Sequence, residues 1–152
     1  MSHKPQIFAG GPLRTNAYLF PGEDGWVCVD APQGILTFLR EKKMRVETLL
    51  LTHGHFDHIW DAAALVAEHG ATAYAHPADI PLLRHPIGSQ AYGIPGRCAP
   101  LTQVTPLPIP PHGSIRWSCS GHEFVLFHIP GHSPGSVAYD RKSSYAVFCL
   151  KK

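Results

Sequence analysis

Apolar and polar residues alternate along the chain in short blocks whose period switches between two and about four. The first blocks read as strands: residues 7–9, closed by Gly10-Gly11-Pro12, then residues 16–20 and 26–30. The five residues between the last two, Pro21-Gly22-Glu23-Asp24-Gly25, have hairpin-turn chemistry. Asp30 followed by Pro32 has the form of a helix entry, a capping acid and then a first-turn proline. Ile35, Leu36 and Leu39 give that helix an apolar face as far as about Lys43. Residues 46–51 return to strand and are apolar throughout their second half, as in a strand covered on both faces. A second helix is predicted over about 59–69, with Ile59, Ala62, Ala63 and Val66 as its stripe and Gly70 as its stop.

A short strand over 71–75 and a short helix opened by His76-Pro77-Ala78-Asp79 follow. Residues 85–100 carry too many prolines and glycines for a regular element, and suit either a surface loop or a lid built around Tyr92. Residues 101–111, with Pro106, Pro108, Pro110 and Pro111, read as one extended edge segment. Residues 115–118 and 124–129 are predicted to pair as antiparallel strands, and 137–140 and 145–150 as a hairpin. Between these pairs, Pro130-Gly131-His132-Ser133-Pro134-Gly135-Ser136 is a loop. With no internal repeat and no dividing linker, residues 1–152 form one α/β domain.

The chemistry concentrates in Thr52-His53-Gly54-His55-Phe56-Asp57-His58, directly after the apolar strand. Imidazoles and a carboxylate suit Zn²⁺, and iron and manganese accept the same ligands. At the end of a strand, residues two apart point the same way, so His53 and His55 can grip one ion from one side. Asp57 and His58 sit at the turn into the helix and face a second ion position. Gly54 is expected to free the backbone for a tight turn. A catalytic zinc site needs a third protein ligand, and His132 is the best candidate, held between two Pro/Gly pairs. His69, His76, His112, His122 and His128 are assigned structural places, His69 at a helix end and His76 as a cap.

Composition narrows the class of partner. Thirteen basic against eleven acidic residues, with no basic stripe, gives no pull toward nucleic acid or a membrane surface. No apolar run approaches a membrane span, and none behind Met1 resembles a signal peptide, so a cytoplasmic protein with a small-molecule substrate is expected. The four cysteines form no close pair, and Cys28 and Cys149 are placed as reduced core residues.

The two histidine motifs, together with Asn16-Ala17-Tyr18-Leu19 and Val29-Asp30, make the chain resemble the metallo-beta-lactamase fold superfamily. Within it, the likeness is to the hydroxyacylglutathione hydrolase (glyoxalase II)-like branch. The resemblance implies an αββα sandwich with the metal site at one edge. His53, His55 and His132 would hold the first zinc, and Asp57 and His58 would belong to the second. It also implies a zinc-dependent hydrolase that cleaves a thioester or related ester through a metal-bound hydroxide, with Asp57 as the catalytic residue that orients it. Single-iron relatives that oxidise sulfur depend on an Asp that this pattern lacks.

Such proteins carry a Gly-Asp pair after the strand at 145–150, whose Asp bridges the two metals, and a further His beyond it. Lys151-Lys152 stand there instead. The resemblance therefore predicts a sandwich whose C-terminal part is missing, truncated before the bridging Asp, with one sheet face uncovered or buried in a homodimer. The competing reading is a non-catalytic or metal-poor remnant acting as a binding module.

Overall fold

The computed structural model describes residues 5–142 and the strand pairing of residues 147–148. Among the described residues, ten strands form two sheets. Strands β1 (Gln6–Gly10), β2 (Thr15–Pro21), β3 (Trp26–Val29), β4 (Val46–Leu50), β5 (Thr72–Ala75) and β6 (Thr105–Pro106) lie side by side in chain order. The second sheet takes the order β10-β9-β8-β7, from β7 (Ser114–Cys119), β8 (His122–His128), β9 (Val137–Arg141) and β10 (Val147–Phe148). The β1–β2 and β2–β3 pairs are antiparallel, whereas β3–β4, β4–β5 and β5–β6 are parallel. Parallel neighbours need crossovers, and helices supply them. Helix α1 (Ile35–Lys42) joins β3 to β4, and α2 (Phe56–Ile59) with α3 (Ala62–His69) joins β4 to β5. A fourth helix, α4 (Ile80–Arg84), follows the single turn Pro77–Asp79.

Strand β4 is apolar on both faces because each face meets a different layer. Leu49 and Leu51 pack among Cys28, Ile35, Leu39, Ile59 and Leu65, under the helices. Leu50 points the other way, with Phe20, Val27 and Val29, into Phe124, Leu126, Val137 and Tyr139 of the second sheet. Strand β7 alternates accordingly: Ser114, Arg116 and Ser118 are exposed, while Ile115, Trp117 and Cys119 pack against this second core.

The predicted loss of the C-terminal part of the sandwich is therefore overturned. The architecture is the αβ/βα metallo-beta-lactamase-like sandwich, with the second sheet present and the face expected to lie bare covered by it. The absent Gly-Asp pair and later His pointed to a truncation, whereas the cover comes from alternating strands upstream of that point. The reason given for a homodimer falls with it. Of the strand expected over 145–150, Val147 and Phe148 pair with Asp140 and Tyr139; its other residues, including Cys149, lie outside those described, as does Met1 to Lys4.

Two local expectations also change. Asp30 does not cap α1. The N-cap of α1 is Gly34, and Asp61 accepts from Gly34 N–H at 3.0 Å and Leu36 N–H at 3.1 Å, a cap reaching in from another segment. The single helix predicted over 59–69 begins earlier, at Phe56, and breaks at Trp60-Asp61. There the backbone pairs outside the helix: Ala31 N–H donates to His58 O at 2.8 Å, and Asp61 N–H donates to Ala31 O at 3.0 Å. Gly70 ends α3 in a left-handed conformation as expected, and His69 accepts from Val46 N–H at 2.9 Å.

Candidate metal centre

Three chain ends meet at one edge of the sandwich. The loop leaving β4 brings His53 and His55, the first turn of α2 brings Asp57 and His58, and the β8–β9 loop brings His132. Two backbone and side-chain ties hold these ends together. Val137 N–H donates to Thr52 O at 2.8 Å, and the buried Tyr139 hydroxyl donates to Leu51 O at 2.6 Å.

The ring of His53 is the centre of the cluster. Ring centroids of His58, His55 and His132 lie 4.1, 4.7 and 5.0 Å from it. His55 Nδ1 and His132 Nε2 approach to 2.9 Å. Two sets of three therefore have the geometry to hold a metal ion, His53-His55-His132 and His53-Asp57-His58, each with its ligand atoms within 4.8 Å of one another. All five residues singled out in the sequence come together. The one change is that His53 belongs to both sets, whereas sequence spacing gave it to the first alone.

The donor set fits a cation. His53 is 1% exposed, and its Nε2 is buried with no hydrogen-bond partner. Such an orphan costs free energy unless something binds it. Burial, followed by His58, His55 and His132, pushes the His53 imidazole down to about 2, so it stands neutral with a lone pair to offer. Burial and His132 lower His55 as well. His58 goes the other way: burial works against its charged form, but the Asp30 charge and hydrogen bond, with Asp57, outweigh it and raise it.

The surrounding residues fix these rings. Asp30 accepts from Thr52 N–H at 2.8 Å and from the Thr52 hydroxyl at 2.7 Å, and its Oδ2 lies 2.7 Å from His58 Nδ1. That bond leaves His58 Nε2 facing Asp57, 3.4 Å from Oδ2. Asp30 adopts a left-handed backbone (φ 64), a strained state that the three bonds hold in place. The Thr15 hydroxyl donates to Asp57 Oδ2 at 2.8 Å. A cavity of about 160 Å³ opens beside Asp57 and His58, walled by Arg14, Asn16 and Tyr18.

Asp79 was read only as a helix opener, yet it lies fully buried between the two histidine loops. It accepts from Gly54 N–H at 2.8 Å, from the Ser133 hydroxyl at 2.7 Å and from Gly135 N–H at 2.7 Å. No local pattern marks it, because its partners are 25 and more residues away. Gly54 serves a different purpose from the one expected. It has no positive φ, but a Cβ there would meet Leu82 Cβ at 2.8 Å. Its smallness lets the metal loop close on α4. Of the histidines expected to be structural, His76 accepts from Ala78 N–H through Nδ1 while its buried Nε2 has no partner, His122 Nε2 lies 2.6 Å from Pro21 O, and His128 bonds the backbone of His112 and Pro134.

Residues 10–149 match a family described as the Metallo-beta-lactamase superfamily. An uncharacterized protein of Mycobacterium tuberculosis (strain ATCC 25618 / H37Rv) is 34% identical over 148 residues, covering 87% of this chain and 62% of its own. The chain thus spans less than two thirds of the length of this relative. Hydroxyacylglutathione hydrolase GloC of Haemophilus influenzae is 29% identical over 112 residues, or 72% of this chain and 51% of that one. Among solved structures, TTHA1623 in a di-iron-bound form superposes with a TM-score of 0.70 at 34% identity, over 88% of this chain and 65% of that chain.

Proposed function

The chain belongs to the metallo-beta-lactamase superfamily, and from that premise we propose that it is a zinc-dependent hydrolase of a small-molecule thioester or related ester. The observation that carries this reading is the buried, unpartnered Nε2 of His53, shared by two ligand triads. His53, His55 and His132 would hold one ion, and Asp57 and His58 would face a second; His53, with one free nitrogen, can complete either triad but not both at once. A bound ion of this kind supplies Lewis acidity, bringing water toward a neutral pKa and polarising a carbonyl.

The geometry supports the following roles for the protein's own groups. Asp57 is the catalytic residue: Thr15 occupies one lone pair of its Oδ2 and fixes the carboxylate, which then aims the attacking water and takes its proton. Asp30 holds His58 in one orientation. The substrate enters the cavity beside them, where the Asn16 amide and Tyr18 can reach its polar groups. A donor set rich in imidazole supports zinc, while the di-iron-bound relative makes iron the competing metal. The thioester reading leans on GloC, named for hydrolysis of hydroxyacylglutathione. Free Cys28, Cys98 and Cys119 support the reducing environment of the cytoplasm. No helix among the described residues is long and apolar enough to cross a membrane.

Elemental analysis of the purified protein tests the metal, and hydrolysis of an acylated glutathione thioester tests the reaction. The expected result is one or two zinc ions per chain. His132→Ala should lose the first ion, and His53→Ala should weaken whichever triad its single free Nε2 completes. Absence of metal from wild type and variants alike would leave the binding-module reading; a loaded protein inert toward thioesters would remove the substrate class.

A further inference from the structure

We infer that Asp79 is a positioning residue whose buried carboxylate pins the His132 loop against the His53–His55 loop and so sets the geometry of the three-histidine site. The inference rests on the reading that His53, His55 and His132 hold a metal ion.

A buried carboxylate is costly unless its oxygens are satisfied. Asp79 is 0% exposed, and the hydrogen bonds that satisfy it come from the two histidine loops. Gly54 lies between His53 and His55, while Ser133 and Gly135 flank the far side of His132. One carboxylate thus joins a loop 25 residues before it to one 54 and 56 residues after it, on the ligand-bearing backbone itself.

Steric fit supports the same role independently. A Cβ on Gly135 would lie 2.7 Å from Asp79 N and 2.9 Å from its Cβ and Cγ, and one on Gly54 would lie 3.3 Å from Asp79 O. Both loops have a glycine where they approach this residue. The turn that presents Asp79 is also anchored to the His132 loop by a second route. His76 stacks on His128 at 4.0 Å between centroids, and His128 Nε2 donates to Pro134 O at 2.8 Å.

Metal-ligand histidines depend on partners that fix their place, and loss of such a partner typically costs about 10–100-fold in metal affinity. Asp79→Asn keeps the size but turns an N–H₂ toward donors that need an acceptor. The His132 loop then loses two of its ties and the third ligand its fixed position, whereas the bonds recorded for Asp57 and His58 go to Thr15 and Asp30.

Co²⁺ titration of metal-free protein, followed by ligand-field absorption, reads the two sites. Asp79→Asn should weaken the His132-dependent step by about 10–100-fold and leave the second step within about threefold of wild type. In a His132→Ala background, Asp79→Asn should change Co²⁺ affinity little further, because the ligand it positions is gone. Circular dichroism and a thermal melt monitor folding. If Asp79→Asn does not fold, Ser133→Ala decides, since it removes one donor and leaves the carboxylate; a smaller but selective weakening of the same step is expected. Unchanged affinity in the folded Asp79 variant, or in Ser133→Ala where that variant fails, would overturn the inference. A wild-type chain that binds no Co²⁺ would overturn the metal reading and this inference together.

Discussion

His53 is where burial and chemistry collide, and the collision is measurable without substrate. Burial first, then its histidine neighbours, lowers it to about 2 from the ordinary 6.5. Below pH 6.5 the unfolded chain therefore takes up a proton that the folded chain refuses, and metal-free stability must fall as pH falls. The slope from this residue is about 1.4 kcal/mol per pH unit, or ~2 kcal/mol between pH 7 and pH 5. His55, also lowered, adds to the loss. His58 is raised, so its contribution is fully present below 6.5 and fades as pH rises through its folded value; it opposes the other two. Urea unfolding with chelator should show a wild-type loss about 2 kcal/mol larger than that of His53→Gln over this interval. Equal slopes would mean that His53 is open to water. The five histidine and aspartate positions were readable in the sequence because ligand type and spacing are local properties. Asp79 and the steric purpose of Gly54 were not, since both depend on segments that meet only in the fold.

Helix α1 shows the same division between local and distant information. Its apolar face of Ile35, Leu36 and Leu39 was plain, and so were the strands around it. Its cap was not. Asp30 has the right position in sequence, but its carboxylate is engaged by Thr52 and His58, where it orients the site. Asp61 supplies the cap instead, 25 residues beyond Leu36, and in doing so sits where a continuous second helix would otherwise run. The local pattern of residues 59–69 favours one helix; the tertiary bonds of Ala31 and Asp61 divide it. Asp61→Ala should therefore destabilise α1 although it lies outside it. Loss of a cap accepting two N–H groups corresponds to about 1–2 kcal/mol. Chemical denaturation should register that loss, with Co²⁺ affinity changed far less than by Asp79→Asn. A variant as stable as wild type would show that water caps α1 equally well.

The candidate metal centre draws its residues from both sheets. His53, His55, Asp57 and His58 leave the end of β4, whereas His132 is carried between β8 and β9 in the other sheet. The strands of the second sheet were legible one by one from their alternation. That they roof the inner face of the first sheet was not, because alternation says which side of a strand is apolar and not what it packs against. Leu126 tests this dependence. It is fully buried among Phe20, Val29, Leu50 and Tyr139, facing the first sheet, and is not one of the candidate ligands. Leu126→Ala leaves a cavity there, at a cost of about 2–5 kcal/mol, a large part of the ~5–15 kcal/mol that holds a domain of this size. If the sheets fold as one unit, far-UV and near-UV signals should move together to a lower thermal midpoint. Added Zn²⁺ should then recover part of the loss, because an ion held by both sheets binds the closed sandwich and not the separated one. If instead the second sheet is merely appended, the first-sheet signal will keep its midpoint and zinc will not shift it. In that case His132 would be free to leave, and a site that needs it would not survive as a unit.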